Sequence, residues 1–207
     1  MYNYQNIIKA GLLINIAIYI YALIIGYDRP FWIDELHVIA VSKKIFDISL
    51  KQVFIENVLH PPLYFYLVGI FSLLFENIYS LRLVNILGLI PLIYSFLLLK
   101  RNFSNLNLNF FLLLFISNYF FFYYSVELKM YFLIYCLSFL QHTIFLVDIN
   151  QKKYKFLFLI LSIIMTSMHV FGLVISMSML TIYGILSLKN RQYKTFLYNF
   201  VSAVILF

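Results

Sequence analysis

Charge is the scarcest commodity in this sequence. Asp, Glu, Lys and Arg together make up 11% of its 207 residues, and 64% are hydrophobic. Soluble domains carry about a quarter charged residues and just under half apolar ones. So much apolar surface exceeds what a soluble core of this size could bury, which excludes an ordinary cytosolic domain. Cysteine is nearly absent too. The one residue, Cys136, sits inside an apolar run, excluding an internal disulfide and a thiolate metal centre. Glycine, at six residues, forms no phosphate-cradling loop and no dinucleotide fingerprint. Internal repeats, low-complexity linkers and two-residue alternation are missing as well, which leaves helical periodicity as the governing pattern.

What is present is a series of long apolar runs separated by short basic loops. Mean hydropathy is +0.93. A net charge of +7 would point to nucleic acid in a soluble protein. Here the basic residues fall between apolar runs, at Lys100-Arg101, Lys152-Lys153-Lys155 and Lys189-Arg191-Lys194. That is the distribution of cytoplasmic membrane loops, and no nucleic-acid partner is expected. The expected fold class is all-α, a polytopic membrane helical bundle of about seven transmembrane helices with a helical first outer loop. Residues 1–207 read as one module: a first membrane helix at 10–27, an extracytoplasmic loop at 28–80, and the remaining membrane helices at 81–207.

The N-terminal run from Ala10 is long for a signal sequence and lacks a small-x-small cleavage site before Asp28, so it reads as an uncleaved helix. Further spans are expected at Leu81–Leu99, Phe110–Tyr124 and Met130–Val147. The stretch Phe156–Leu188 far exceeds one ~30 Å crossing. It reads as two helices with a tight turn near His169–Gly172, the alternative being one long tilted helix. Pro62–Phe75, at roughly 20 Å of helix, is too short to cross. If it lies on the surface, all the basic loops share the cytoplasmic side. The Asp34–Phe75 region, the Glu127/Lys129 turn and the His169 turn then share the other. Within the loop, Ser49-Leu50-Lys51-Gln52 reads as a capping box opening an interfacial helix with Leu50, Val53, Phe54 and Val58 on one face. Leu36–Phe46 reads as helical without a clear face. The final run, from Thr195 to Phe207, is shorter than the ~20 residues a span needs, so the sequence reads as ending mid-helix.

The informative residues form a polar island among these runs. Asp34 and Glu35 follow Phe31-Trp32, aromatics suited to a membrane interface. They read either as a proton-accepting carboxylate with a substrate-positioning neighbour, or as two solvated acids favoured by a helix dipole. His60-Pro61-Pro62 fixes an extended turn and opens a helix. Arg82, just inside an apolar run, reads as a cation snorkelling to headgroups or binding a lipid phosphate. Glu127 and Lys129 flank a turn among Tyr123, Tyr124 and Tyr131, as an interfacial charge pair or part of a site. His169 lies in a Ser-Met-His-Val-Phe-Gly turn. Two histidines and several acids have the chemistry to hold a divalent ion, but no spacing among them demands one, and no cofactor is indicated.

In order, Trp32-x-Asp34-Glu35, His60-Pro61-Pro62-Leu63-Tyr64, Leu81-Arg82-Leu83, Ser125-x-Glu127-x-Lys129-Met130-Tyr131 and His169-x-Phe171-Gly172 resemble the GT-C membrane glycosyltransferases. The likeness is greatest to the protein O-mannosyltransferase and aminoarabinose transferase branch (the glycosyltransferase family 39 type), and it covers the N-terminal membrane module of such enzymes. The resemblance implies a catalytic Asp34 with Glu35 as its acidic neighbour. His60, Arg82, Glu127, Lys129 and His169 would be substrate-binding, with Arg82 facing the lipid phosphate. Leu128-Lys129 replaces the family's Ala-Arg, so a bidentate guanidinium is lost there. The implied function is transfer of a sugar from a polyprenyl-phosphate donor to a protein, lipid or glycan acceptor on the extracytoplasmic face of the cell membrane. Two alternatives stand beside it: a truncated inactive remnant of such an enzyme, and a non-enzymatic transporter or lipid-handling subunit.

Overall fold

The computed structural model describes residues 10, 11, 13–18, 20, 21, 24, 29–49, 52, 61–103, 117–148 and 152–189. Among them the fold is all-α, with no strand. The described residues between 10 and 24 are helical. Then come α1 (Ile33–Lys44), α2 (Leu63–Leu74) and a 3₁₀ segment (Ile78–Gly88) that runs directly into α3 (Leu89–Asn102). They are followed by α4 (Tyr119–Ser125), α5 (Tyr131–Asp148), α6 (Lys152–Met168) and α7 (Val170–Lys189). The principal packed pairs are α1 with α2, α3 with α5, α5 with α6, and α6 with α7.

Local chemistry accounts for several of these boundaries. Glu35, in the first turn of α1, reaches back to accept from the Trp32 N–H at 3.0 Å. Acids open that helix and Lys43-Lys44 close it, matching the helix dipole at both ends. The absent face resolves into Glu35, Val38, Ile39 and Ser42, buried at helical spacing. Pro62 immediately precedes α2. The switch from 3₁₀ to α geometry at Leu89 puts Pro91 in the first α turn, where its missing N–H costs little. The expected Ser49/Gln52 capping box is present, with Ser49 N–H donating to Gln52 Oε1 at 3.0 Å and Gln52 N–H to Ser49 Oγ at 3.3 Å. Most of the interfacial helix it was expected to open, and the first half of the Phe110–Tyr124 span, lie outside the described residues.

The long Phe156–Leu188 stretch is two helices, broken at His169. Tyr154 and Phe158 share an apolar cluster with Tyr183, while Met165 and Met168 share another with Ile175. α6 and α7 therefore form an antiparallel hairpin. Its turn is tight: a Cβ on Gly172 would lie 2.0 Å from the Met165 carbonyl oxygen. Gly172→Ala is expected to push α7 off α6 and destabilise the fold by about 1–3 kcal/mol or more, since backbone cannot repack as side chains do. A drop in the thermal unfolding midpoint of the purified protein checks this; an unchanged midpoint would mean that the hairpin yields without cost.

The bundle has two chemically distinct ends. α1, α2, the start of the 3₁₀ segment, the 126–130 turn and the end of α6 surround one apolar cluster. Leu98, Ile144, Tyr154 and Tyr183 build another, toward the helix ends that carry Lys100, Arg101, Lys153 and Lys155. Outward-facing positions are largely apolar, as in the stripe Ile86, Ile90, Ile93 and Leu97. Arg82, Asn85, Gln141, Ser162 and Ser176 point inward instead. Ile78–Asn102, 25 residues with an 18-residue window of mean hydropathy 2.0, is the one helix among the described residues long and apolar enough to cross a membrane. Leu63–Leu74, Tyr131–Val147 and Val170–Leu186 are shorter apolar helices.

Candidate functional site

The site is organised around Glu35, whose side chain is wholly buried. A buried carboxylate is tolerated only when paired and hydrogen-bonded, and Glu35 is both. Arg82 clamps it with two bonds, Nε to Oε1 and Nη2 to Oε2, each 3.2 Å. The Leu128 N–H donates to Oε1 at 2.7 Å and the Trp32 N–H to Oε2 at 3.0 Å. Arg29 Nη2 adds a contact at 3.4 Å. Burial pushes the Glu35 carboxyl up, but the Arg82 guanidinium and the two amides outweigh it and leave its pKa below the ordinary value.

From Glu35 the charges alternate outward. Arg29 Nη2 lies 3.4 Å from Glu35 Oε1 and 3.5 Å from Glu127 Oε1. Lys129 Nζ then lies 3.4 Å from Glu127 Oε2 and 3.3 Å from Asp34 Oδ2. Glu127 is as buried as Glu35, yet its oxygens accept no hydrogen bond among the described residues, and the two flanking cations alone balance its charge. Asp34 stands at the open end with its side chain 71% exposed. Burial disfavours the Lys129 ammonium, but Glu127 and Asp34 overcome this and hold its pKa above the ordinary value.

The 3₁₀ segment explains how Arg82 reaches this network. In a 3₁₀ helix residues three apart eclipse one another, so Arg82, Asn85 and Gly88 stand in one row. Arg82 binds Glu35, donates to the Arg29 carbonyl at 3.0 Å, and stacks over the Phe31 ring at 4.3 Å. Asn85 Nδ2 donates to the carbonyls of Tyr124 and Ser125, both at 3.2 Å, and to that of Glu127, pinning the turn that presents Glu127 and Lys129. Gly88 makes room for Phe132, whose ring would lie 2.9 Å from an added Cβ.

Two concavities flank Tyr131. The first, about 310 Å³, is lined by Asp34, His37, Phe65, Lys129 and Tyr131 among others. The second, about 490 Å³, is an apolar groove between α4, α5 and α7, walled by Tyr124, Tyr131, Tyr135, Phe171 and Val174. Tyr131 borders both. His169 lies behind it, its ring 5.3 Å from that of Tyr131, and its Nδ1 accepts from the Phe171 N–H at 3.0 Å, capping α7.

Of the residues singled out in the sequence, the structure gathers Asp34, Glu35, Arg82, Glu127 and Lys129 into one network, with His169 one ring away. His60 lies outside the described residues. Arg82 does not reach toward headgroups: its side chain is 4% exposed and its donors engage Glu35 and the carbonyls of Arg29 and Pro30. The cation that lines the cavity is Lys129. Sequence reasoning missed Arg29, His37 and Asn85. The Arg82-x-x-Asn85 pair inside an apolar run was the available signal for the last; Arg29 and His37 carried none. Among the described residues no three His, Cys, Asp or Glu side chains converge as a metal site would require. No family model, curated protein or solved structure matches this chain.

Proposed function

We propose that this protein is a polytopic membrane glycosyltransferase that moves a sugar from a polyprenyl-phosphate donor to a hydroxyl acceptor at the extracytoplasmic face. One observation carries the reading: an exposed carboxylate, Asp34, and an ammonium, Lys129, share a cavity, and Tyr131 in its wall also borders an apolar groove. A lipid-linked sugar phosphate needs a base for the acceptor, a cation for the leaving phosphate and an apolar track for its chain. The inverted polarity of the bundle favours a lipid surround, since apolar side chains face out and polar ones face in. The basic helix ends lie opposite the site, as cytoplasmic loops would. A transporter would hold its ionisable groups near mid-bundle, whereas these cluster at one end.

In the proposed reaction Asp34 takes the proton of the acceptor hydroxyl as its oxygen bonds to the anomeric carbon. The bond from that carbon to the phosphate oxygen breaks in the same inverting step, and Lys129 offsets the charge left on the lipid phosphate. Glu35 orients Asp34 by fixing the start of α1, and Arg82 fixes Glu35. Labelled polyprenyl-phosphate hexoses and pentoses, supplied to sealed membrane vesicles, test the proposal. Label should enter an acceptor in right-side-out vesicles and not in inverted ones. Failure of every donor in right-side-out vesicles, or transfer confined to inverted ones, would sink it.

A further inference from the structure

We infer that Lys129 is an exchangeable anion site, and that Asp34 fills it until a phosphate-headed ligand takes its place. The inference rests on the reading above only for the prenyl part of the ligand. The argument lies in the asymmetry of the two carboxylates around one ammonium. Glu127, 3.4 Å from Nζ, is wholly buried and held on its other side by Arg29, so it cannot leave. Asp34, 3.3 Å from the same nitrogen, is 71% exposed, and an exposed ion pair of this kind is weakly held. Lys129 itself faces the cavity together with Asp34, His37 and Tyr131, so an anion entering there meets the ammonium on the side that Asp34 occupies. Phosphate oxygens form the same kind of charge-assisted bond to an ammonium as a carboxylate does, so a phosphate can take the place of an exposed, weakly held one. Arg82 is already engaged by a buried carboxylate and backbone carbonyls, and neither it nor Arg29 lines the cavity, which leaves Lys129 as the seat among the described residues.

The consequence is an order of events. While it is paired with Lys129, Asp34 turns its Oδ2 to the ammonium, 3.3 Å away, and not to an acceptor hydroxyl. Arrival of the phosphate detaches Asp34 and frees it to accept a proton, so the base becomes competent only once the donor is seated. Acceptor hydroxyls, or water, are not activated before then.

The experiment measures binding of farnesyl phosphate, inorganic phosphate and farnesol to the purified protein by thermophoresis, with no sugar transfer involved. Asp34→Asn is expected to tighten phosphate binding about 3–10-fold, because the resident competitor is gone. Lys129→Met should weaken it at least about 10-fold. Asp47→Asn, which removes the same charge from the exposed segment just after α1, should leave affinity unchanged. Binding of farnesyl phosphate alone identifies a lipid headgroup as the ligand; binding of inorganic phosphate with the same variant pattern identifies a free phosphate. Either outcome supports the site. Weaker binding in Asp34→Asn, equal tightening in Asp47→Asn, full binding in Lys129→Met, or no binding of either phosphate overturns it. Should Lys129→Met fail to fold, the two aspartate variants decide the matter. Because no turnover is read, the anion site can stand where the transferase proposal falls, and the reverse.

Discussion

Replacing Arg82 with methionine is expected to destabilise the fold by about 3–5 kcal/mol, the usual result of removing one partner from a buried ion pair. The guanidinium makes two 3.2 Å bonds to a carboxylate with no exposure to solvent. Without it Glu35 keeps two amides and a 3.4 Å contact to Arg29, but loses its principal counter-charge. The sign of the pH dependence follows from Glu35. In the native protein its pKa lies below the ordinary glutamate value of 4.5. Its charged form thus contributes stability that is present above pH 4.5 and lost as pH falls through the folded value. In the variant, burial opposes ionisation with less to offset it, so the carboxyl's pKa rises. The deficit should therefore be largest near neutrality and shrink on acidification. Denaturation midpoints of the two proteins at pH 7 and near pH 4 check it. A deficit that grows toward low pH would show that the pair is not what holds α1 to the 3₁₀ segment. The double variant Arg82→Met/Glu35→Leu should recover much of the loss, since no buried charge is then left unpaired.

Asp34→Asn is expected to behave in the opposite manner. Its side chain is largely exposed, and its one ion pair among the described residues is to Lys129 at 3.3 Å. Stability should change by no more than about 0.5 kcal/mol. Sugar transfer to a hydroxyl acceptor should fall by about 10²–10⁴-fold, because an amide of the same shape cannot take the acceptor's proton. Donor binding should be strengthened, as the exchange of Asp34 for phosphate requires. Turnover and donor affinity, measured separately with a labelled polyprenyl-phosphate sugar, distinguish lost chemistry from lost binding. Near-normal turnover in this variant would remove Asp34 from the mechanism.

The contrast between these two variants concerns adjacent residues, Asp34 and Glu35, which the sequence presents as one acidic pair. Successive residues on an α-helix point about 100° apart, so α1 turns Glu35 into the interior and leaves Asp34 at the cavity. Which acid is structural and which is available for chemistry depends on the direction in which α1 packs, and no local pattern encodes that.

Much of the architecture is nonetheless written in local chemistry. The apolar runs set helices α2, α3, α5, α6 and α7. The Ser-Met-His-Val-Phe-Gly stretch breaks the last run in two because His169 caps one helix while Gly172 admits the backbone of the other. Lys100, Arg101, Lys153 and Lys155 gather at one end, and the candidate acids and bases are spaced so that folding can collect them. Those features follow from periodicity, capping and charge placement, which act over a few residues. The partners were another matter. Glu35 meets Arg82 and Leu128 across separations of 47 and 93 residues, and Arg29 contacts the Val126 carbonyl across 97. The 3₁₀ winding that aligns Arg82 with Asn85 departs from the α geometry that an apolar run leads one to expect. Arg82 is directed inward because a buried carboxylate there requires a counter-charge, and Lys129 becomes the cation of the cavity because Arg82 is already engaged. Local sequence determined which groups were available; only the tertiary packing decided which of them are buried against one another and which still face the cavity.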